Sequence, residues 1–161
     1  MARNDLLFWK SKIRFHNFSG VERKNNQGKI VNREGQRNFS IIIEDDAQAE
    51  QMMAEGFDIK KTFFNDDEFE YRLQVHIRYD KFPPEQILYI SNSTGKTKEL
   101  TEETIDCLDR CDITECDLTV NPYHYTVNDK SGIKAYLRAG FFKVNVNPMI
   151  EKYAEMESPE E

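Results

Sequence analysis

The chain has no run approaching the roughly 18 apolar residues that a membrane-spanning helix needs. Its start, Met-Ala-Arg-Asn-Asp, lacks the apolar core of a secretory signal. It has only three cysteines, an odd number confined to residues 107–116, so the sequence offers no disulfide framework. Its three histidines, His16, His76 and His124, stand singly, and no serine, histidine and aspartate follow an order that would give a nucleophile a positioned base. Together these absences predict a soluble, non-enzymatic protein of a reducing, cytoplasmic compartment. Positive charge is also in short supply. With 22 Lys+Arg against 29 Asp+Glu the net charge is −7, which taken whole argues against a nucleic-acid ligand.

Several chemical motifs are approached but not completed. Ser93-Thr94-Gly95-Lys96-Thr97 resembles the end of a phosphate-binding P-loop, yet that loop needs a glycine where this chain has Ile90. The run also lies between a strand and a polar turn, with no helix opening at the lysine, so it reads as a turn. Cys107 and Cys111 are one helical turn apart, and no second close pair exists with Cys116 or His124 to complete a zinc site. The acids at Glu44-Asp45-Asp46 and Asp66-Asp67-Glu68 read as caps and surface turns. No metal and no cofactor are predicted.

What is present is unevenly placed. Residues 1–40 hold nine basic residues (Arg3, Lys10, Lys12, Arg14, Arg23, Lys24, Lys29, Arg33 and Arg37) and three acids (Asp5, Glu22 and Glu34), a balance of +6. The remainder holds 13 basic and 26 acidic residues, a balance of −13, and the two sum to −7. A chain that segregates its charge in this way can present a basic face while being acidic overall.

The hydrophobic period is mostly two, the period of strands. Over 69–80, Phe69, Tyr71, Leu73, Val75, Ile77 and Tyr79 alternate with Glu70, Arg72, Gln74, His76, Arg78 and Asp80, so one face is buried and one polar. Ile13 and Phe15 alternate with Lys12, Arg14 and His16, which predicts a first strand with a basic outer face. Residues 38–43, 87–91, 116–127 and 133–146 supply further strands. Pro122 implies a bulge or an edge in the fifth. Residues 45–55 read as a helix that begins on acids and ends at Gly56, and 101–110 as a second short helix with Ile105 and Leu108 on one face. Residues 20–36 are polar and read as a mobile loop or an extended hairpin. Residues 128–132 have hairpin-loop chemistry.

At 161 residues the chain is the size of one ordinary domain. Short strands with capping helices predict a mainly β fold: an OB-fold-like (oligonucleotide/oligosaccharide-binding) five-stranded antiparallel barrel with one or two short capping helices and long hairpins. The expected division is a binding domain over 1–150 and an acidic tail over 151–161, which carries five acids and one lysine.

Cations are interleaved with aromatics on the strands. Trp9, Lys10, Lys12 and Arg14 lie within one such stretch; Tyr123 and Tyr125 share one side of a strand; Lys134, Tyr136 and Arg138 share a face of the next. Single-stranded nucleic acid is held by this combination, because cations track phosphates while ring faces stack bases. Arg37, Arg72 and Arg78 are the further cations expected to follow the phosphates.

The order of features resembles the T-seven-type single-stranded DNA-binding proteins of bacteriophages and their relatives in phages and prophages of Gram-positive bacteria. The matching pieces are the strand-to-helix unit RNFSIIIEDDAQAEQMMAEG (37–56), the ISNSTGKTKEL turn (90–100) and the closing hairpin DLTVNPYHYTVNDKSGIKAYLRAGFFKV (117–144). The resemblance implies an OB barrel that binds single-stranded DNA independently of sequence in phage replication, recombination and repair. It implies groove residues at Tyr123, Tyr125, Lys10, Lys12 and Arg14. It also implies an acidic tail that competes with DNA for the groove and recruits phage polymerase, helicase or primase, and a homodimer. The tail here is short and ends Ser-Pro-Glu-Glu, without the terminal aromatic of such tails.

A rival reading is an interaction protein that binds no nucleic acid, a structural adaptor or host-factor inhibitor. Its surface would be the segment Glu99 to Asp117, where eight acids face only Arg110. A small nuclease using the acid clusters is a third reading, and nothing in their spacing asks for it.

Overall fold

The computed structural model describes residues 5–145. The chain runs β1 (Leu6–Ser11), β2 (Ile13–Asn17), β3 (Arg23–Lys24), β4 (Ile30–Asn32), β5 (Arg37–Ile43), α1 (Asp46–Glu55), β6 (Ile59–Phe63), β7 (Phe69–Ile77), β8 (Gln86–Ser91), β9 (Thr97–Glu99), a 3-10 helix (Ile105–Arg110), β10 (Asp112–Val127) and β11 (Lys130–Asn145). The acidic tail expected at 151–161 and the boundary at 150 lie outside the described residues.

The main sheet follows the order β1-β10-β11-β7-β5-β2. Its two ends are consecutive pieces of chain. β1 pairs with β10 as far as Ser11↔Cys116, and β2 takes up pairing with β5 at Ile13↔Ile41. Between them Lys10 adopts φ +50°, and the carbonyl of Lys12 accepts from Ile42 N at 2.9 Å. One bent segment thus serves both edges and curls the sheet toward a barrel, leaving five lengths of strand around it. This is the expected OB-like architecture, and it is mainly β. Two details differ from an all-antiparallel barrel: β11 runs parallel to β7 and, further along, to β8. Between β7 and β11 the chain makes a long excursion through β8, β9, the 3-10 helix and β10, so β11 can enter in the same direction as β7, because parallel neighbours need only a long crossover.

The local reasons are plain in the sequence. β7 alternates buried and half-buried residues from Tyr71 to Ile77, as its period-two pattern requires. Asp45 caps α1 by accepting from Ala47 N and Gln48 N, and Gly56 closes it at φ +113°, a conformation open to glycine. The second helix is of the 3-10 type, whose three residues per turn stack Ile105 directly over Leu108; both are fully buried. Residues 20–36 form the small β3–β4 hairpin. β10 and β11, 16 residues each, make a long hairpin closed by Asn128-Asp129, both at positive φ as a type I′ turn requires. The bulge in β10 falls between Ile113 and Glu115, and the register shift opposite Thr119/Val120 places its extra residue, Arg138, on β11. Pro122 lies beyond the last β1 pair, where β10 has β11 on one side only, an edge position open to proline.

The core is one cluster inside the curl. Phe18, Phe39 and Phe142 are fully buried and meet edge-on or tilted at 5.3–6.0 Å. Each contributes about 1.5–3 kcal/mol by leaving water. Around them stand Ile41, Leu73, Val75, Leu118, Val120 and Leu137.

Candidate nucleic-acid interface

Alternation that buries Ile41, Leu73 and Val75 turns their neighbours outward, onto one polar face. The register sets Asn38 beside His76, Ser40 beside Gln74, and Arg14 beside Ser40. The face continues onto β11, where Tyr136 pairs with His76. It then passes to β10, because Asn121, Tyr123 and Tyr125 lie directly across from Tyr136, Lys134 and Gly132. Residues directly opposite in an antiparallel ladder share a side of the sheet. The tyrosines of one strand and the Lys134–Tyr136 pair of the next therefore belong to a single surface.

At the centre of that surface the rings are packed together. Phe82 lies 4.5 Å from Tyr136 and 5.3 Å from Tyr123, Tyr123 meets Tyr136 edge-on at 5.9 Å, and His76 is 5.9 Å from Tyr136. Tyr136 is buried beneath the others, whereas Tyr123 is 42% exposed and presents its ring to solvent. Lys134 Nζ lies 5.7 Å from the Tyr125 ring. The Tyr125 ring packs over Gly132, where a Cβ would come within 2.5 Å of the phenol oxygen. Burial first, then the charges of Lys134 and Arg78, hold the His76 pKa below its ordinary 6.5, although Asp58 opposes them.

The other cations divide. On this face, Arg72 stacks its guanidinium 4.3 Å over the Phe15 ring and donates to Thr62 Oγ1. Arg14 pairs with Glu70 at 2.7 Å and lies 5.9 Å from the Phe64 ring. Arg78 donates to both oxygens of Asp80, at 2.9 and 2.8 Å, which holds that carboxyl down to about 2. Arg37 points the other way: it sits opposite Ile77, donates to Phe18 O at 3.0 Å and faces Glu102. Arg138 is half-buried between Asp5 at 3.1 Å and Glu85 at 3.2 Å. Trp9 and Lys10 line a separate cleft with Glu44 and Asp45 at the start of α1. Lys12 is exposed at the bend. The structure thus gathers Arg14, Arg72, Arg78, Tyr123, Tyr125, Lys134 and Tyr136, and sets Trp9, Lys10, Arg37 and Arg138 elsewhere.

Phe82 and Phe15 join this face without having been read from the sequence, and His76, read there only as a polar position of its strand, proves to pack against Tyr136. Phe82 sits in a turn with no periodicity to place it. Phe15 departs from its own strand's alternation: expected inside, it is 68% exposed because its backbone takes φ +54°. Among the described residues no cluster of three or more His, Cys, Asp or Glu could hold a metal ion, and no helix is long and apolar enough to cross a membrane. Burial pushes the Cys107 and Cys116 thiols up.

The second and third barrel strands carry this face, with the β3–β4 hairpin on one flank and the β10–β11 hairpin on the other. Those are the elements with which OB-type barrels bind oligonucleotides. The class defined is an oligonucleotide-binding barrel. The chain belongs to the phage single-stranded DNA-binding family: the family described as "Putative phage ssDNA-binding domain" matches residues 2–161, and single-stranded DNA is its ligand. No curated protein sequence matches it. Among solved structures, the C-terminally truncated single-stranded DNA-binding protein from bacteriophage Enc34 has a similar fold, with a TM-score of 0.51 and 11% identity over 89% of this chain and 87% of that one. The Enc34 protein in complex with single-stranded DNA aligns with a TM-score of 0.48 and 10% identity, over 89% of this chain and 88% of that one.

Proposed function

We propose that single-stranded DNA crosses the polar face of β5 and β7 and continues onto the root of the β10–β11 hairpin, held independently of any fixed sequence. The observation that carries this reading is the Phe82–Tyr136–Tyr123 stack beside Lys134. A buried ring supports an exposed one, and a cation stands next in line. Tyr123 stacks a base, Tyr125 a second, and Lys134, Arg72 and Arg14 take phosphates, with Lys12, exposed at the bend, extending the track. Arg78 keeps its charge paired until a phosphate competes with Asp80. Arg37 and Arg138 hold the barrel together. The protein binds its ligand without converting it and serves phage DNA replication, recombination and repair in the host cytoplasm. In this reading residues 1–150 are the binding domain, and 151–161 form an acidic tail that competes for the face and recruits replication partners.

The rival surface offers less. Among the described residues, seven of the eight acids in Glu99 to Asp117 already have a hydrogen-bond or ion-pair partner, and only Glu99 has none.

Anisotropy of a labelled oligo-dT at low and moderate salt tests the proposal. Tyr123→Ala is expected to weaken binding about tenfold, within the roughly 1–3 kcal/mol of one stacked base. Deleting 151–161 is expected to tighten it. An affinity that ignores Tyr123→Ala sinks this path for the strand.

A further inference from the structure

Phe15 is held in a conformation that a bulky side chain rarely adopts. At φ +54° its backbone is in the left-handed region, and its ring, 68% exposed, stands out of the strand that should have buried it. Such strain persists where the surroundings enforce it, and it concentrates at functional sites. The enforcement is visible just downstream. Asp109 accepts from His16 Nδ1 at 2.7 Å, Phe18 N at 2.9 Å, and Ser19 N and Oγ at 2.8 Å, which fixes the chain that follows Phe15.

The exposed ring borders an opening of about 280 Å³ between β2, the β5–β7 face and the β3–β4 hairpin. Ser40 and Gln74, paired across β5 and β7, line the sheet side of it. Among the described residues neither side chain has a hydrogen-bond partner. The opposite wall is fixed. Asn32 Nδ2 donates to the carbonyls of Val21, Arg33 and Gln36, and its Oδ1 accepts from Asn38 Nδ2 at 2.7 Å. Arg23 of the hairpin contributes a cation to the same lining.

We infer that this opening is a nucleobase pocket: one base of the bound strand stacks on Phe15 and presents its edge to the Gln74 amide and the Ser40 hydroxyl. The chemistry follows from what is placed there. Phe15 already carries the Arg72 guanidinium on one face at 4.3 Å, which leaves the other for a base. A free primary amide offers one donor and one acceptor side by side, the pair that matches the N6/N7 edge of adenine. Binding is therefore graded by base even though no sequence is required. The pocket is a second stacking station, separated from the Tyr123 station by the width of the sheet face, so the strand runs between them past His76.

This inference rests on the proposed path of the strand, and its test separates the two. Phe15→Asn places in the left-handed region a residue that tolerates it and removes the ring. The expected result is an affinity for labelled oligonucleotides about tenfold weaker with a melting temperature unchanged or raised. A lowered melting temperature, or an unchanged affinity, overturns the assignment. Gln74→Ala is expected to weaken oligo-dA more than oligo-dT; an unchanged ratio between them removes the edge contact and with it the pocket. If Tyr123→Ala weakens binding while Phe15→Asn does not, only the pocket falls. If neither variant weakens binding, the whole face is wrong.

Discussion

Replacing Asp109 by alanine should cost this protein more stability than any other single change to a polar residue on the 3-10 helix, and the amount can be worked out. Burial raises the Asp109 carboxyl pKa, but hydrogen bonds from His16, Phe18 and Ser19 outweigh it and hold the group down to about 2 from its ordinary 3.8. That difference corresponds to about 2 kcal/mol of stability at neutral pH. Alanine also strands the backbone N–H groups of Phe18 and Ser19, each a charge-assisted bond at present, so the total loss is about 3 kcal/mol. For a domain of this size it lowers the melting temperature by about 6–12 °C. The sign with pH is fixed by the direction of the shift. A carboxyl whose folded-state pKa is depressed stabilises the fold fully above its unfolded value, and the contribution disappears as pH falls through the folded one. The gap between wild type and Asp109→Ala is therefore expected to be full above about pH 5 and to narrow by about 2 of its roughly 3 kcal/mol as pH falls through about 2. Thermal denaturation followed by circular dichroism across that range measures it. A neutral-pH difference under about 2 °C, or a gap that does not narrow in acid, would refute the reasoning.

Three further outcomes follow from the same geometry. Lys134→Ala should flatten the plot of log affinity against log salt by about 0.7, the share of one phosphate contact on a single strand, which a salt titration reads directly. Gly132→Ala places a methyl where the Tyr125 ring now lies, so the ring must swing off the strand; oligo-dT affinity should fall several-fold with the melting temperature nearly unchanged. His76 is held neutral by burial and by Lys134 and Arg78, and phosphates beside those cations relieve the repulsion, so DNA binding takes up a proton. Affinity should then rise as pH is lowered through the titration of His76, and His76→Gln should flatten that profile.

Much of the scaffold was legible because it is encoded locally. The strict alternation of 69–77 can bury only one face, the Asp45 and Gly56 pair can only begin and end a helix, and Asn128-Asp129 suits only a tight turn. The cations and rings of the closing hairpin were legible too, since residues two apart on a strand share a face whatever the partner. Arg37 and Arg138 look in sequence like the other cations of the set. Only the fold reveals that one faces Phe18 O and Glu102 and the other is enclosed by Asp5 and Glu85. Phe15 failed for a different reason: alternation assumes a regular backbone, and one residue in the left-handed region reverses the side its ring takes.

By itself, then, the sequence determined a mainly β domain, the residues that alternate into its core, and a store of cations and rings on its strands. The charge total of −7 said little, because solvent and ligand meet surfaces and not sums. Tertiary structure decided which of those cations remain free to meet a phosphate and which are neutralised by acids up to 133 residues distant, as Arg138 is by Asp5. It also brought Phe82, His76 and Phe15 onto the face that Tyr123 and Lys134 occupy. The physical reason is that charge pairing and ring stacking act over a few ångströms of space, and only the closing of the barrel sets those distances.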